Sequence, residues 1–251
     1  MGNTNSCTFA PFMKKLLSSV LVFLFLTVTV FGQKDRVWGA WSSISVQYEF
    51  VKDWTFYFET QTRSHAMYNH FHYYEFKGGF SYKINKYFSA LVGFGNYGTY
   101  DWKNIRGMKT QDELRLWEQF VINQSISRVK LEHRIRFEQA SINKKYRNRF
   151  RYRLNVTVPL NSKTVEKNTI FAAGFSELFL TDTPPYFMRH RVYLGLGYQV
   201  TDYLNIQSGW INQFNYTFDK KGAKNYFMLN LAFKISKKEQ KSENIPTPLP
   251  Y

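Results

Sequence analysis

From Trp38 onward, apolar and polar side chains alternate with a period of two in segment after segment, and no stretch holds the 3.6-residue period of an amphipathic helix for long. The alternation is sharpest at 147–158, RNRFRYRLNVTV. There Arg147, Arg149, Arg151 and Arg153 take one face, and Phe150, Tyr152, Leu154, Val156 and Val158 the other. Just upstream, RVKLEHRIRFEQ sets Val129, Leu131, Ile135 and Phe137 against Lys130, Glu132, Arg134, Arg136 and Glu138. Successive side chains of a strand point to opposite faces, so each segment predicts a strand with one wet and one apolar side.

The same pattern marks strands along the rest of the chain. Trp38, Ala40, Ile44, Val46, Tyr48 and Phe50 share one face of the first. Trp54, Phe56 and Phe58 oppose Tyr57, Glu59, Gln61 and Arg63 in the second. Tyr74, Phe76, Phe80 and Tyr82 mark a third, Phe88, Ala90, Val92 and Phe94 a fourth, and Leu114, Leu116, Phe120 and Ile122 a fifth. After the two basic segments come 169–180, 189–200, 203–214 and 225–235. Connections near 51–53, 85–86, 125–127, 161–168 and 201–202 read as tight or modest, and those at 64–70, 101–111, 140–145, 181–187 and 215–224 as longer. A barrel with one short-looped and one long-looped end is the plan of a transmembrane β-barrel. Single-chain bacterial barrels have even strand counts, so the eleven segments predict ten or twelve wall strands.

Alternation alone also fits a soluble sandwich or barrel with its arginines outside. Three features turn the polarity inside out. The segments are about as long as the 9 to 11 residues a tilted membrane strand needs, where soluble strands cluster near 5 or 6. Aromatics crowd segment ends, as at Tyr48, Phe50 and Trp54, at Tyr82, Tyr87 and Phe88, and at Tyr198 and Tyr203, the height of an interfacial girdle. Gly93, Gly95, Gly195 and Gly197 fall on the wet face, where small residues relieve crowding inside a narrow barrel.

The basic rows then line an enclosed interior. A hairpin over 140–146 sets Arg147 across from Glu138, Arg149 from Arg136, Arg151 from Arg134 and Arg153 from Glu132, with a two-residue slip changing the partners but not the cationic excess. Like charges directly opposite each other destabilise a sheet, so the interior calls for acids or anions. Glu177, and Glu59 or Glu75 from across the lumen, are candidate partners. The set divides between two roles: a salt-bridged plug that stiffens the wall, or a strip that binds small anionic solutes through guanidinium forks.

Composition agrees with large two-faced sheets. The 251 residues are 44% apolar and 19% aromatic, with a formal charge of +16. The stretch MKKLLSSVLVFLFLTVTVFGQ has a basic start, an apolar core from Leu16 to Phe31, and Val30 and Gly32 spaced for cleavage before Gln33. Residues 1–32 therefore read as a secretory signal with Met13 as the true start, 33–235 as the barrel and 236–251 as a polar tail. Losing Lys14 and Lys15 lowers the charge to +14. The Gly2 and Ser6 match to a myristoylation pattern is accidental in front of such a signal. Cys7 is the only cysteine, so the mature chain has no disulfide and no thiolate chemistry.

Catalytic chemistry is sparse. His65, His70 and His72 cluster near one loop at a spacing that permits a surface metal site, although an ordinary polar loop explains them as well. His133 and His190 fall near apolar faces, with no serine at a diagnostic spacing. The expectation is no enzyme, no cofactor and no metal. Basic residues interleaved through strands behind a secretion signal also argue against nucleic acid as a partner. Outer-membrane lipid, lipopolysaccharide and small anionic solutes are the expected partners.

The segments WGAWSSISVQYEFVKDWTFYFETQTR, SRVKLEHRIRFEQ, RNRFRYRLNVTVPL, FSELFL and MRHRVYLGLGYQVTDYLNIQSGW, in that order, resemble the domain-of-unknown-function 2490 family of secreted bacterial β-barrels. The resemblance implies an outer-membrane location in a Gram-negative bacterium and no assigned activity. It also implies Arg63, Arg136, Arg149, Arg151, Arg153, Glu177 and Arg191 as the polar inner set.

Overall fold

Each alternating segment forms one strand of a closed wall in the computed structural model, which describes residues 37–104 and 108–236. The strands are β1 (Gly39–Val51), β2 (Trp54–Ala66), β3 (Asn69–Lys83), β4 (Phe88–Thr99), β5 (Gln111–Ile126), β6 (Val129–Ile142), β7 (Lys145–Pro159), β8 (Ile170–Thr181), β9 (Phe187–Gln199), β10 (Leu204–Tyr216) and β11 (Lys221–Ser236). The expected signal at 1–32 and the expected tail at 236–251, apart from Ser236, which ends β11, lie outside the described residues.

Every sequential neighbour pairs antiparallel, and the ring closes through a parallel seam between β1 and β11, with Trp41 beside Met228 and Val46 beside Phe233. The expectation of ten or twelve strands is therefore wrong; there are eleven. A ring that alternates in direction cannot close on an odd count without one parallel pair. The first segment supplies that pair as a full wall strand.

The division into a short-looped and a long-looped end also fails. The expected long connections at 64–70 and 140–145 are two-residue turns, because Ala66 pairs with Asn69 and Ile142 with Lys145. Asn143 and Lys144 both take positive φ, 49° and 66°, the geometry that matches hairpin twist. At the other end, the connection expected to be modest runs from Leu160 to Thr169 and is tied by Asn161, whose Oδ1 accepts from the Ile170 amide. Each end thus has one long loop, 160–169 at one and 100–110 at the other.

The wall sends alternate side chains to opposite faces as predicted, but the inner face is only partly the wet one expected, because large apolar side chains share it. Outward positions expose Phe56, Phe58, Phe76, Phe80, Val92, Phe94, Leu114, Leu116, Phe137, Leu194 and Leu196. Inward positions bury Trp41, Glu59, Trp117, Glu138, Arg153, Phe175, Glu177, Tyr193 and Met228 at 1% exposure or less. Narrowness explains the inner glycines. A Cβ on Gly93 would lie 2.3 Å from the Trp117 ring opposite it, and one on Gly197 would lie 2.1 Å from Phe171.

Candidate functional site: the charged interior

The interior has an apolar side and a charged side. Val165, from the 160–169 loop, joins Phe171, Phe175, Tyr193, Ile211, Tyr226, Met228 and Trp41 in one buried cluster. That loop therefore contributes to the filling of the barrel.

The charged side is built on β5 to β9, with β2 and β3 adding Glu59, Arg63, Glu75 and Lys77. The β6–β7 register is two residues from the one drawn over a longer loop: Glu138 faces Arg149, Arg136 faces Arg151, Arg134 faces Arg153, and Arg147 faces Ala140. The tight Asn143–Lys144 turn sets this slip. It leaves two arginine pairs side by side, which acids between them must hold. Glu138 takes an ion pair from Arg149 at 3.1 Å, one from Arg136 at 3.5 Å and a short one from Arg151. Glu177 on β8 takes Arg134 at 2.5 Å, Arg151 at 2.8 Å and Arg191 at 3.7 Å. Arg151 thus bridges the two carboxylates, while Glu132 meets Arg153 at 3.3 Å.

Ten of the eleven residues expected in the inner set are brought together there: Arg63, Glu132, Arg134, Arg136, Glu138, Arg149, Arg151, Arg153, Glu177 and Arg191 are all buried. Arg147 is the exception. It is exposed beyond the charged rows, with a nitrogen 4.0 Å from the Met188 sulfur. Both Glu59 and Glu75 are inward, as expected of candidate partners, but their main cation is Lys77, at 2.8 Å and 2.5 Å. Arg63 reaches Glu75 at 3.6 Å.

Sequence reasoning left out Lys77, Glu113, Arg115 and Arg189. The signal was present: Glu113 and Arg115 alternate with Leu114 and Leu116, and Arg189 precedes Arg191 by one inward step. Glu113 binds Arg115 at 2.6 Å and Arg149 at 2.5 Å. Among the described residues no carboxylate lies within ion-pairing distance of Arg189; its Nε donates to Asn215 Oδ1 at 2.6 Å.

His65, His133 and His190 are spent on local contacts. His65 stacks on Trp102 of the 100–110 loop at 3.8 Å and meets the Lys224 amine at 2.8 Å. His133 Nδ1 lies 2.9 Å from the Tyr152 hydroxyl on the outer wall. His190 Nε2 lies 2.9 Å from Ser176 Oγ, also on the outer wall, a pair hidden in the sequence because it runs diagonally between β8 and β9. Among the described residues no group of three or more His, Cys, Asp or Glu side chains is arranged to hold a metal ion.

No curated protein matches this chain. The family described as a protein of unknown function (DUF2490) matches residues 38–224, which run from the residue before β1 into β11 and include every charged side chain of the interior network. The chain with its arginine-lined, eleven-stranded barrel belongs to that DUF2490 family.

Proposed function

We propose that the protein is an outer-membrane β-barrel of a Gram-negative bacterium, exported by its signal peptide and embedded by its outer wall, with an interior occupied by the charged network. The observation that carries this reading is the exposure of large apolar side chains around the wall: Phe58, Phe80, Val92, Phe94, Leu116, Phe137 and Leu196 all stand outward and uncovered. A wall this apolar is expected against hydrocarbon and costly against water. Tyr48, Trp54, Tyr82, Tyr87, Tyr198 and Tyr203 ring one end, and Tyr68, Phe71, Tyr146, Tyr186 and Phe218 the other. Two aromatic girdles flanking an apolar band suit the two interfaces of a bilayer. Strands of 12 to 16 residues, at roughly 3.3 Å per residue and a tilt near 40°, reach across a band about 25 Å tall.

Cell fractionation tests this directly. The protein is expected in the outer membrane as a band whose migration shifts on boiling, and recovery of the mature chain as a detergent-free, dissolved monomer overturns the proposal.

A second reading, a narrow pore or passive carrier for small anionic solutes, is favoured by the surplus of inward guanidinium groups over carboxylates. Passage would require the contacts of Glu138 and Glu177 to part, so the expected conductance is small and anion-selective. Planar-bilayer recordings with Arg149→Ala and Arg151→Ala check it: unchanged selectivity or no conductance removes the carrier role. What then stays is the reading of a surface-interaction barrel whose loop from Asp101 to Gln111 carries the activity, and deleting that loop is expected to abolish partner binding. Ser176 and His190 are assigned a structural role, each satisfying the other on an apolar wall.

A further inference from the structure

We infer that Arg63, Arg189 and Arg191 form a binding site for a small oxyanion, a carboxylate or phosphate group, inside the barrel. The inference deepens the anion reading above and rests on it for relevance, but not on whether the barrel conducts.

Two strands bring the groups together. β2 supplies Arg63, and β9 supplies Arg189 and Arg191 one inward step apart. Trp41 fixes the cluster from the β1 side: the Arg63 guanidinium lies 3.5 Å from its ring centre and that of Arg191 5.0 Å. Phe179 does the same from β8, 4.6 Å from Arg191 and 5.5 Å from Arg189. Rings hold guanidinium planes in place without neutralising them.

The hydrogen bonds point the same way. Arg189 gives its Nε to Asn215 at 2.6 Å and Arg191 gives its Nε to Gln213 at 2.8 Å. Both acceptors are neutral amides, so they orient the forks and leave the charge in place. The nearest acids are at the limit of ion pairing, Glu75 at 3.6 Å from Arg63 and Glu177 at 3.7 Å from Arg191. Glu177 is already shared with Arg134 and Arg151, and Glu75 with Lys77. Arg63 Nε is buried without a hydrogen-bond partner among the described residues. Elsewhere in the network, by contrast, Arg134, Arg149 and Arg151 reach carboxylates at 2.8 Å or closer. Convergent, oriented and under-neutralised guanidinium groups are the arrangement that takes an oxyanion bidentately.

Calorimetric titration of the detergent-folded protein, at ionic strength held constant with sodium chloride, tests the site. Inorganic phosphate, acetate and phosphatidylglycerol micelles distinguish a soluble phosphate, a soluble carboxylate and a lipid headgroup. Saturable binding of phosphate or acetate is expected, weakened at least about tenfold by Arg189→Gln and unchanged by Arg128→Gln on an exposed turn. The boiling-dependent band shift reports that each variant has folded. Should Arg189→Gln not fold, Arg189→Lys, which keeps the charge and loses the fork, decides: unchanged affinity overturns the site. No saturable binding, or a response to phosphatidylglycerol alone, also overturns it. Each of these failures would leave fractionation to the outer membrane intact, so they are distinguishable from failure of the membrane proposal.

Discussion

At the scale of single residues, the tightest fits are the places where a backbone or a ring leaves no room for another choice. The Trp117 ring crowds Gly93, and an added methyl at 2.3 Å from the indole must move either the ring or the strand. Gly93→Ala is expected to destabilise the barrel by about 1–3 kcal/mol, as overpacking usually does, read as a lower urea midpoint for unfolding from detergent. The opposite sign is expected at the β6–β7 turn. Lys144 holds a φ of 66° that a side chain resists, and glycine there completes the Asn-Gly pair that two-residue hairpins prefer. Lys144→Gly should raise the same midpoint, by about 0.5–1 kcal/mol. Ser176 and His190 make a third case, because a serine oxygen 2.9 Å from an imidazole is also the first half of an acyl-transfer site. Neither labelling by a fluorophosphonate nor lipid or lipopolysaccharide turnover in detergent is expected; adduct formation at Ser176, lost in His190→Ala, would make the protein an enzyme.

Among the strands, the energetics centre on Glu177. One carboxylate on β8 holds Arg134 of β6, Arg151 of β7 and Arg191 of β9, so it ties four strands where the arginine rows would otherwise repel. Removing one partner of a buried ion network leaves the others charged and unmatched, a loss of about 3–5 kcal/mol for a dry pair. Glu177→Gln should therefore cost more than Glu132→Gln, whose carboxylate answers a single arginine at 3.3 Å, when the two are compared by urea unfolding in one detergent. Elements of this kind were largely legible in the sequence. Alternation places a residue on a face without reference to any partner, so the wall strands and ten of the inner side chains could be read directly. The connections could not. Asn143-Lys144 lacks the glycine that announces a two-residue turn, and missing it moved the β6–β7 register by two residues. A glycine-poor turn with Tyr68 in the left-handed region hid the β2–β3 hairpin in the same way, whereas the turns at Asp53 and Ser127 were legible as tight. Contacts that cross strands diagonally, such as Ser176 with His190, depend on register and stayed invisible for that reason.

For the whole molecule, the odd strand number has a topological consequence. With even counts both ends of the wall emerge at the same rim; with eleven, β1 begins at the rim of the 100–110 loop and β11 finishes at the rim of the 160–169 loop. Gly39 and Ser236 therefore sit at opposite rims, and a barrel spanning the outer membrane must send one to the cell surface and the other to the periplasm. Bacterial barrels keep their short turns in the periplasm and their longer loops outside, yet the loops here are nearly balanced between the rims, so length does not choose the orientation. The seam fixes only that the two ends differ: a parallel β1–β11 pair requires both strands to cross in the same direction. Epitope tags placed directly before Val37 and directly after Ser236, in separate chains, should thus differ in access. One is expected to bind antibody on intact cells, the other only after the outer membrane is permeabilised. Equal surface access for both tags would mean that the wall in the membrane has an even number of strands and that β1 has left it.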